Sequence, residues 1–215
     1  MKISVLIPTK NEPSISKLVK KVHESLKNYN HEVIVIDKSK FPPKITGAKV
    51  IVQKSDGLGK AILEGLNYVT GDVIAIMDGD FSHNPEYLPK LIQKVDMGDI
   101  ILGSRYVPNG KTEDKFIRKI ISQIANKFAI FLLDLNVKDC MSGFVVIKKN
   151  VYENLGLNPI GYKINLETIF KAKKNGFKIC EVPITFYKRR KGKSKFGLRE
   201  ILRTTWFIFR LRLSC

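Results

Sequence analysis

Two aspartates one residue apart, Asp78 and Asp80, close the segment Asp72-Val73-Ile74-Ala75-Ile76-Met77-Asp78-Gly79-Asp80. The apolar run before them reads as a buried strand, which has no place for charge. The pair therefore belongs at the strand's C-terminal lip, where open α/β sheets bind ligands. Carboxylates presented together there can hold a hard, oxygen-preferring divalent cation such as Mg²⁺ or Mn²⁺. Standing alone, the pair also fits a solvated turn. Its context favours chemistry: a buried strand before it and the loop Ser82-His83-Asn84-Pro85-Glu86 after it.

Such carboxylates need a scaffold, and the chain alternates apolar strands with amphipathic helices. Residues 3–7, 33–36, 50–52, 73–77 and 100–102 read as strands. Between them, helical spacing predicts helices over about 15–29, 59–69 and 88–95, the first capped by Ser14 or Ser16. Gly57-Leu58-Gly59 fits a strand-to-helix turn that needs small residues. Alternation with short connections predicts an α/β fold, a mostly parallel sheet flanked by helices. Three strands end on polar groups: Pro8-Thr9-Lys10-Asn11-Glu12, Asp37-Lys38-Ser39 and Asp78-Gly79-Asp80. These ends should lie side by side and form one pocket.

Beyond residue 107 the pattern changes. Residues 116–133 form a long amphipathic stretch with Ile117, Ile120, Ile121, Ile124, Phe128 and Phe131 on one face. Arg118, Lys119 and Ser122 fall on or near the other. Residues 145–147 read as a strand, 164–174 as a helix, and 179–184 as a strand broken by Pro183, hence an edge or a strand end. Residues 188–195 are a basic, Gly-containing loop. A final helix over 198–213 carries Arg199, Arg203, Arg210 and Trp206, with Leu198, Ile201, Leu202, Ile208 and Phe209 largely opposite.

The net charge of +18 is unevenly placed. Residues 1–100 carry 14 Lys/Arg against 12 Asp/Glu, whereas residues 101–215 carry 24 against 8. The second half should face something anionic: nucleic acid, lipid headgroups or a phosphorylated substrate. Nucleic acid would need aromatic platforms among the basic residues. The basic loop has only Tyr187 and Phe196 at its edges, so no nucleic-acid partner is expected. Three Cys without ligand spacing point to reduced, intracellular thiols. Residues 1–7 are too short and strand-like for a signal peptide. No apolar run approaches the ~18–20 residues of a membrane-spanning helix.

The motifs Pro8-Thr9-Lys10-Asn11-Glu12, Asp37-Lys38-Ser39, Gly57-Leu58-Gly59-Lys60-Ala61, Met77-Asp78-Gly79-Asp80, Gly103-Ser104-Arg105-Tyr106, Ser142-Gly143-Phe144 and Gly192-Lys193-Ser194-Lys195 follow one another in the chain. In this order they resemble the motifs of family 2 glycosyltransferases, most nearly the dolichol-phosphate mannose synthases. The resemblance covers nearly the whole chain. It implies a GT-A (Rossmann-like) catalytic domain over residues 1–197, with a nucleotide-sugar half (1–107) and an acceptor half (108–197). An amphipathic helix at the membrane surface (198–215) would follow. It implies inverting transfer of a sugar, foremost mannose from GDP-mannose, onto a polyprenyl or dolichyl phosphate.

By the same resemblance Pro8, Glu12 and Asp37 hold the nucleoside, with Lys10 also at the nucleotide. Asp78, Gly79 and Asp80 hold the diphosphate through Mg²⁺ or Mn²⁺, with Ser82 in the place of a third metal ligand. Arg105, Lys163, Arg189 and Lys195 contact phosphates, Asp80 and Arg105 form the catalytic pair, and Arg118 and Ser122 meet the acceptor phosphate. The enzyme would sit peripherally on the cytoplasmic face of a membrane, where a membrane-embedded partner subunit has a place. This chain departs from the family at Lys10, usually aromatic, and at Ser82, often Gln. It also departs at Ile36-Asp37-Lys38-Ser39, usually Asp-Asp-Gly-Ser followed by Asp-Gly-Thr. The shortened loop leaves the base, GDP or UDP, open.

The chemistry agrees on separate grounds. Breaking a sugar–diphosphate bond requires neutralising the leaving group, which a metal and loop cations do. A phosphomonoester acceptor, with a second pKa of about 6, is already largely ionised at pH 7. It needs positive groups rather than a general base. The rival acceptor, a protein or polysaccharide hydroxyl, would need a base near Asp80 and no lipid. His83 reads as a surface loop residue without a role, and Asp139 as a turn before Ser142. Arg118 also fits a solvated helix face.

Overall fold

Strands such as 33–36 show no polar alternation because helices cover both of their faces. In the computed structural model, which describes residues 1–159, 161, 163–188 and 198–213, seven strands form one sheet in the order 49–52, 31–37, 3–9, 73–76, 145–148, 100–104 and 179–183. β1 (Ile3–Thr9) pairs in parallel with β2 (His31–Asp37) and β4 (Val73–Ile76), and β2 with β3 (Lys49–Val52). β5 (Ile100–Ser104) pairs in parallel with the edge strand β8 (Ile179–Pro183), the place expected of a strand carrying Pro183. β7 (Val145–Lys148) runs antiparallel between β4 and β5. The beginning of β7 therefore lies at the same lip as the ends of its neighbours.

Alternate strand residues feed two cores. Val5, Ile7, Val33, Val35 and Val146 pack on the side covered by α1 (Ile15–Ser25) and α3 (Leu88–Ile92). Leu6, Ile34, Ile36, Ile74 and Ile147 pack on the other side, under α2 (Leu58–Leu66), α6 (Ile164–Lys174) and α7 (Leu198–Leu213). The first three helices end three or four residues earlier than their apolar spacing predicts. Leu26, Val69 and Val95 are still buried: Leu26 closes α1 by donating to the Val22 carbonyl, and Val69 and Val95 lie in turns, donating to the Leu66 and Ile92 carbonyls. Helix α5 (Lys149–Asn154) and the two-stranded sheet of β6 (Lys111–Thr112) and β9 (Thr185–Phe186) are too short to leave a periodic signal.

Helix α4 (Phe116–Leu132) is turned inside out. Its buried residues are Asn126 and Ala129. Ala129, with Ile130 and Leu132 partly buried beside it, packs on the core, but most of its large apolar residues point outward: Phe116 is 76% exposed, Ile117 72%, Ile124 63% and Phe131 83%. α7 packs beside it, with Phe128 and Phe209 edge to face at 6.2 Å. α7 buries Phe207, Ile208 and Leu211 and leaves Trp206 58% exposed, with Arg210 over its ring. Phe209 is half-exposed and joins Trp206 outside, not the buried side expected of it. The side chains of Leu198, Arg199, Ile201 and Leu202 lie outside the described residues.

Helix α2 can approach the sheet because residue 65 is glycine. A Cβ there would overlap Leu6 Cδ1 and come within 3.0 Å of Ile36 Cγ1. Leu6→Ala should cost about 2–5 kcal/mol and Gly65→Ala about 1–3 kcal/mol by overpacking. Because Leu6→Ala vacates the space that the methyl group introduced by Gly65→Ala would need, the double variant should be more stable than the sum of the singles. Chemical denaturation measures all three, and strict additivity would contradict this packing.

Candidate functional site

The ends of β2, β1 and β4 stand side by side, as their order in the sheet requires. The chain leaves β1 toward β2 on one side and reaches β4 on the other, so a topological switch point lies between β1 and β4. There Gly79 lies against Thr9: a Cβ on Gly79 would sit 3.3 Å from Thr9 Cβ and Oγ1. Thr9 Oγ1 is buried and has no hydrogen-bond partner among the described residues. An unmet hydroxyl at this point suits a site that takes a polar ligand.

On the β2 side, Asp37 is buried and accepts from Ser39 N at 2.8 Å and Ser39 Oγ at 3.0 Å. Ser39 Oγ in turn accepts from Asn11 N at 2.7 Å, which ties the β1 and β2 ends together. Lys38 Nζ donates to the Ser55 carbonyl at 2.8 Å, closing the short loop onto the residues after β3. Pro8 is buried and Lys10 is exposed. Glu12 accepts from Ser14 N and Oγ, so Ser14 occupies the N-cap of α1 with its hydroxyl turned back to Glu12.

On the β4 side, Asp78 and Asp80 converge on Ser82. Its hydroxyl lies 2.5 Å from Asp80 Oδ1 and 3.5 Å from Asp78 Oδ2, and Ser82 N donates to Asp80 Oδ1 at 3.0 Å. Two carboxylates and a hydroxyl are an all-oxygen donor set, the kind a hard divalent cation takes. Among the described residues no group of three or more His, Cys, Asp or Glu side chains could hold a metal. A cation here would complete its shell with phosphate oxygens, as Mg²⁺ does when one or two carboxylates bind it. The residues fit such an ion.

His83 is not a surface loop residue. It is 1% exposed, and its Nδ1 accepts the Asp78 amide at 3.1 Å. Burial holds its pKa below the ordinary histidine value, against the pull of Asp78 and Asp80. Flanking Ser, Asn and Pro made the segment look solvated, and no sequence signal pointed to its burial. Gly143, at the approach to β7, lies over the same place: a Cβ there would come 3.6 Å from both Asp78 carboxylate oxygens.

Past β5, Arg105 is held by Asp139, which is not merely a turn residue. Arg105 Nε and Nη2 donate to Asp139 Oδ2 and Oδ1 at 2.7 and 2.8 Å, and Arg105 N also donates to Oδ2 at 3.0 Å. Asp139 is fully buried, and two backbone amides, its own and that of Lys138, donate to Glu181. The Arg105 guanidinium lies over the Tyr106 and Phe186 rings at 4.9 and 5.5 Å. Tyr106 Oη stands 3.2 Å from Ser122 Oγ on α4. Arg118, one turn before Ser122, pairs with Asp114 at 3.3 Å. Arg105, Tyr106, Ser122 and Arg118 thus form one continuous edge. Lys163 is buried at the N-cap of α6, whose Asn165 donates to the Ser142 carbonyl at 3.0 Å. Arg189 and Lys195 lie outside the described residues.

Residues 4–156 match the family model described as Glycosyl transferase family 2. A dolichol-phosphate mannosyltransferase of Pyrococcus furiosus is 38% identical over 230 residues, covering 98% of this chain. The chain spans 64% of that protein's length. A polyprenol monophosphomannose synthase of Mycolicibacterium smegmatis is 33% identical over 216 residues, covering 90% of this chain and 80% of its own. Among solved structures, glucosyl-3-phosphoglycerate synthase from Mycobacterium tuberculosis, in complex with Mn²⁺, UDP and phosphoglyceric acid, aligns with a TM-score of 0.71. That match has 18% identity and covers 99% of this chain and 78% of the other, a likeness of fold. On the family match and these two relatives, the chain belongs to glycosyl transferase family 2.

Proposed function

We propose that this protein transfers a sugar, foremost mannose from GDP-mannose, to the phosphate of a polyprenyl or dolichyl lipid at a membrane surface. One juxtaposition carries the reading. The oxygen-rich lip of β1, β2 and β4 and the Arg105–Tyr106–Ser122 edge stand over one sheet, and the helix of that edge turns a bare apolar face outward. The two mannosyltransferase relatives support it.

On the donor side, Pro8, Lys10, Glu12 and Asp37 would take the nucleoside. Asp78 and Asp80, with Ser82, would hold Mg²⁺ or Mn²⁺, which when bound offsets charge on the departing diphosphate. Arg105 cannot swing freely, because a bidentate pair fixes its fork. Its guanidinium adds a positioned positive charge beside the phosphates, joined by Lys163, Arg189 and Lys195. On the acceptor side, Arg118 would exchange Asp114 for the lipid phosphate, and Ser122 would orient it. That phosphate arrives ionised, so no side chain has to remove a proton. Attack from the face opposite the diphosphate inverts the sugar carbon. Among the cysteines, burial pushes the Cys140 thiol well up, which disfavours a covalent enzyme intermediate through it.

No helix among the described residues is long and apolar enough to cross a membrane. The outward faces of α4 and α7 suit the membrane surface instead. Phe116, Ile117, Phe131 and Trp206 would enter the headgroup boundary, with Lys115, Lys119, Lys127, Arg203 and Arg212 around them to meet anionic lipid. The cytoplasmic face and a membrane-embedded partner subunit complete this reading. The shortened 37–39 loop keeps a UDP-sugar as the second donor reading.

Radiolabelled GDP-mannose, UDP-glucose or UDP-GlcNAc, incubated with Mn²⁺ and polyprenyl phosphate in detergent, should move label into the organic phase, foremost from GDP-mannose. Absence of transfer from every donor would refute the proposal. Asp80→Ala should lower kcat/KM at least ~100-fold, and Arg118→Ala should raise the acceptor KM with the donor KM unchanged. Retained activity in the first, or a donor effect in the second, would contradict these roles. Ile117→Glu combined with Phe131→Glu should weaken sedimentation with anionic vesicles about tenfold or more while nucleotide binding persists. Undiminished sedimentation would exclude α4 as the docking face.

A further inference from the structure

Phe81 has φ +63°, in the left-handed region that a bulky side chain seldom adopts. The strain lies between Asp80 and Ser82, inside the loop that presents both carboxylates. Backbone in such a state persists only where its surroundings over-determine it. The Ser82 bonds to the two carboxylates are one restraint. The His83 ring is another.

That ring is wedged between aromatics. It stacks on Phe144 with centroids 5.1 Å apart and meets the edge of Phe186 at 5.4 Å. Its described hydrogen bond goes to the amide of Asp78, five residues back, and the same Nδ1 stands 3.8 Å from Asp78 Oδ2, beyond hydrogen-bond distance. An N–H donor facing Nδ1 requires a lone pair there, which puts the ring proton on Nε2. With Nδ1 engaged by the amide, His83 is not a metal ligand through that atom. The ring also explains the glycine of Ser142-Gly143-Phe144: a Cβ on Gly143 would come 3.0 Å from His83 Cε1. A second tie holds the same segment from outside, since Tyr187 N donates to the Ser82 carbonyl at 2.9 Å.

We propose that His83 is a positioning residue for the cation site: by accepting the Asp78 amide at Nδ1, it fixes where the Asp78 and Asp80 carboxylates point. The proposal rests on reading those carboxylates as the cation-holding pair. A histidine that served packing alone would tolerate any ring of similar shape. A positioning histidine needs the acceptor atom.

Two variants of the full chain separate these. His83→Asn places an amide oxygen near the position of Nδ1, whereas His83→Phe keeps the ring and loses the acceptor. The first readout is protection of the Asp78 amide from hydrogen exchange, without metal. The second is Mn²⁺ affinity by electron paramagnetic resonance in the presence of GDP or UDP. His83→Phe should lose the amide protection and bind Mn²⁺ about 10–100-fold more weakly. His83→Asn should stay close to wild type in both. In the wild type, the ring nitrogen shifts should report the Nε2–H tautomer.

Wild-type protection and affinity in His83→Phe would overturn the proposal. So would a His83→Asn variant as defective as His83→Phe, or an Nδ1–H ring in the wild type. Wild-type protein that binds no Mn²⁺ with either nucleotide would instead overturn the cation reading, and this role with it. Unchanged affinity in His83→Phe beside a binding wild type overturns the His83 role alone.

Discussion

The inner strands of a sheet covered on both faces have no place for charge at mid-strand, because an ion there would lose its hydration without a partner. Charged groups that the chain needs must wait for the strand ends. At the β1–β4 switch this rule concentrates Asp37, Asp78 and Asp80 at one lip, with Thr9 and Gly79 between them. The antiparallel β7 adds Ser142 and Gly143 from its beginning rather than its end. Everything proposed for the donor side depends on that arrangement.

The cationic side is built by a different rule. A buried guanidinium is tolerated only when paired, and removing one partner of a buried pair is far more costly than replacing both. Asp139 therefore fixes Arg105, and Glu181 fixes the backbone around Asp139. Tyr106 extends this rigid unit to Ser122, and Asn126 extends α4 to the same loop, accepting from Cys140 N and donating to the Lys138 carbonyl. α4 is thus tied to the site through polar residues and packed on the core by Ala129, Ile130 and Leu132, while Phe116, Ile117, Ile124 and Phe131 are left for the outside.

Much of the scaffold was legible from local pattern. Apolar runs located every strand of the main sheet, and the sudden carboxylates after residue 77 located the lip. The direction of β7 was not legible, since a short buried strand reads the same either way. Helical spacing showed that α4 is amphipathic but could not show which face turns inward. Asp139 and His83 take their roles from partners that local pattern does not reveal. Arg105 is 34 residues from Asp139, and His83 lies between rings from residues 144 and 186. The motif resemblance brought Arg105 and Asp80 forward but did not show what holds either in place.

Asp78 and Asp80 are proposed to hold a divalent cation jointly with a nucleoside diphosphate. Titration of Mn²⁺ by electron paramagnetic resonance, with and without GDP or UDP, tests it directly. With only two carboxylates and a hydroxyl from the protein, binding should be weak alone and tighten at least about tenfold with the diphosphate. Equal affinity with and without nucleotide would contradict a shared cation site.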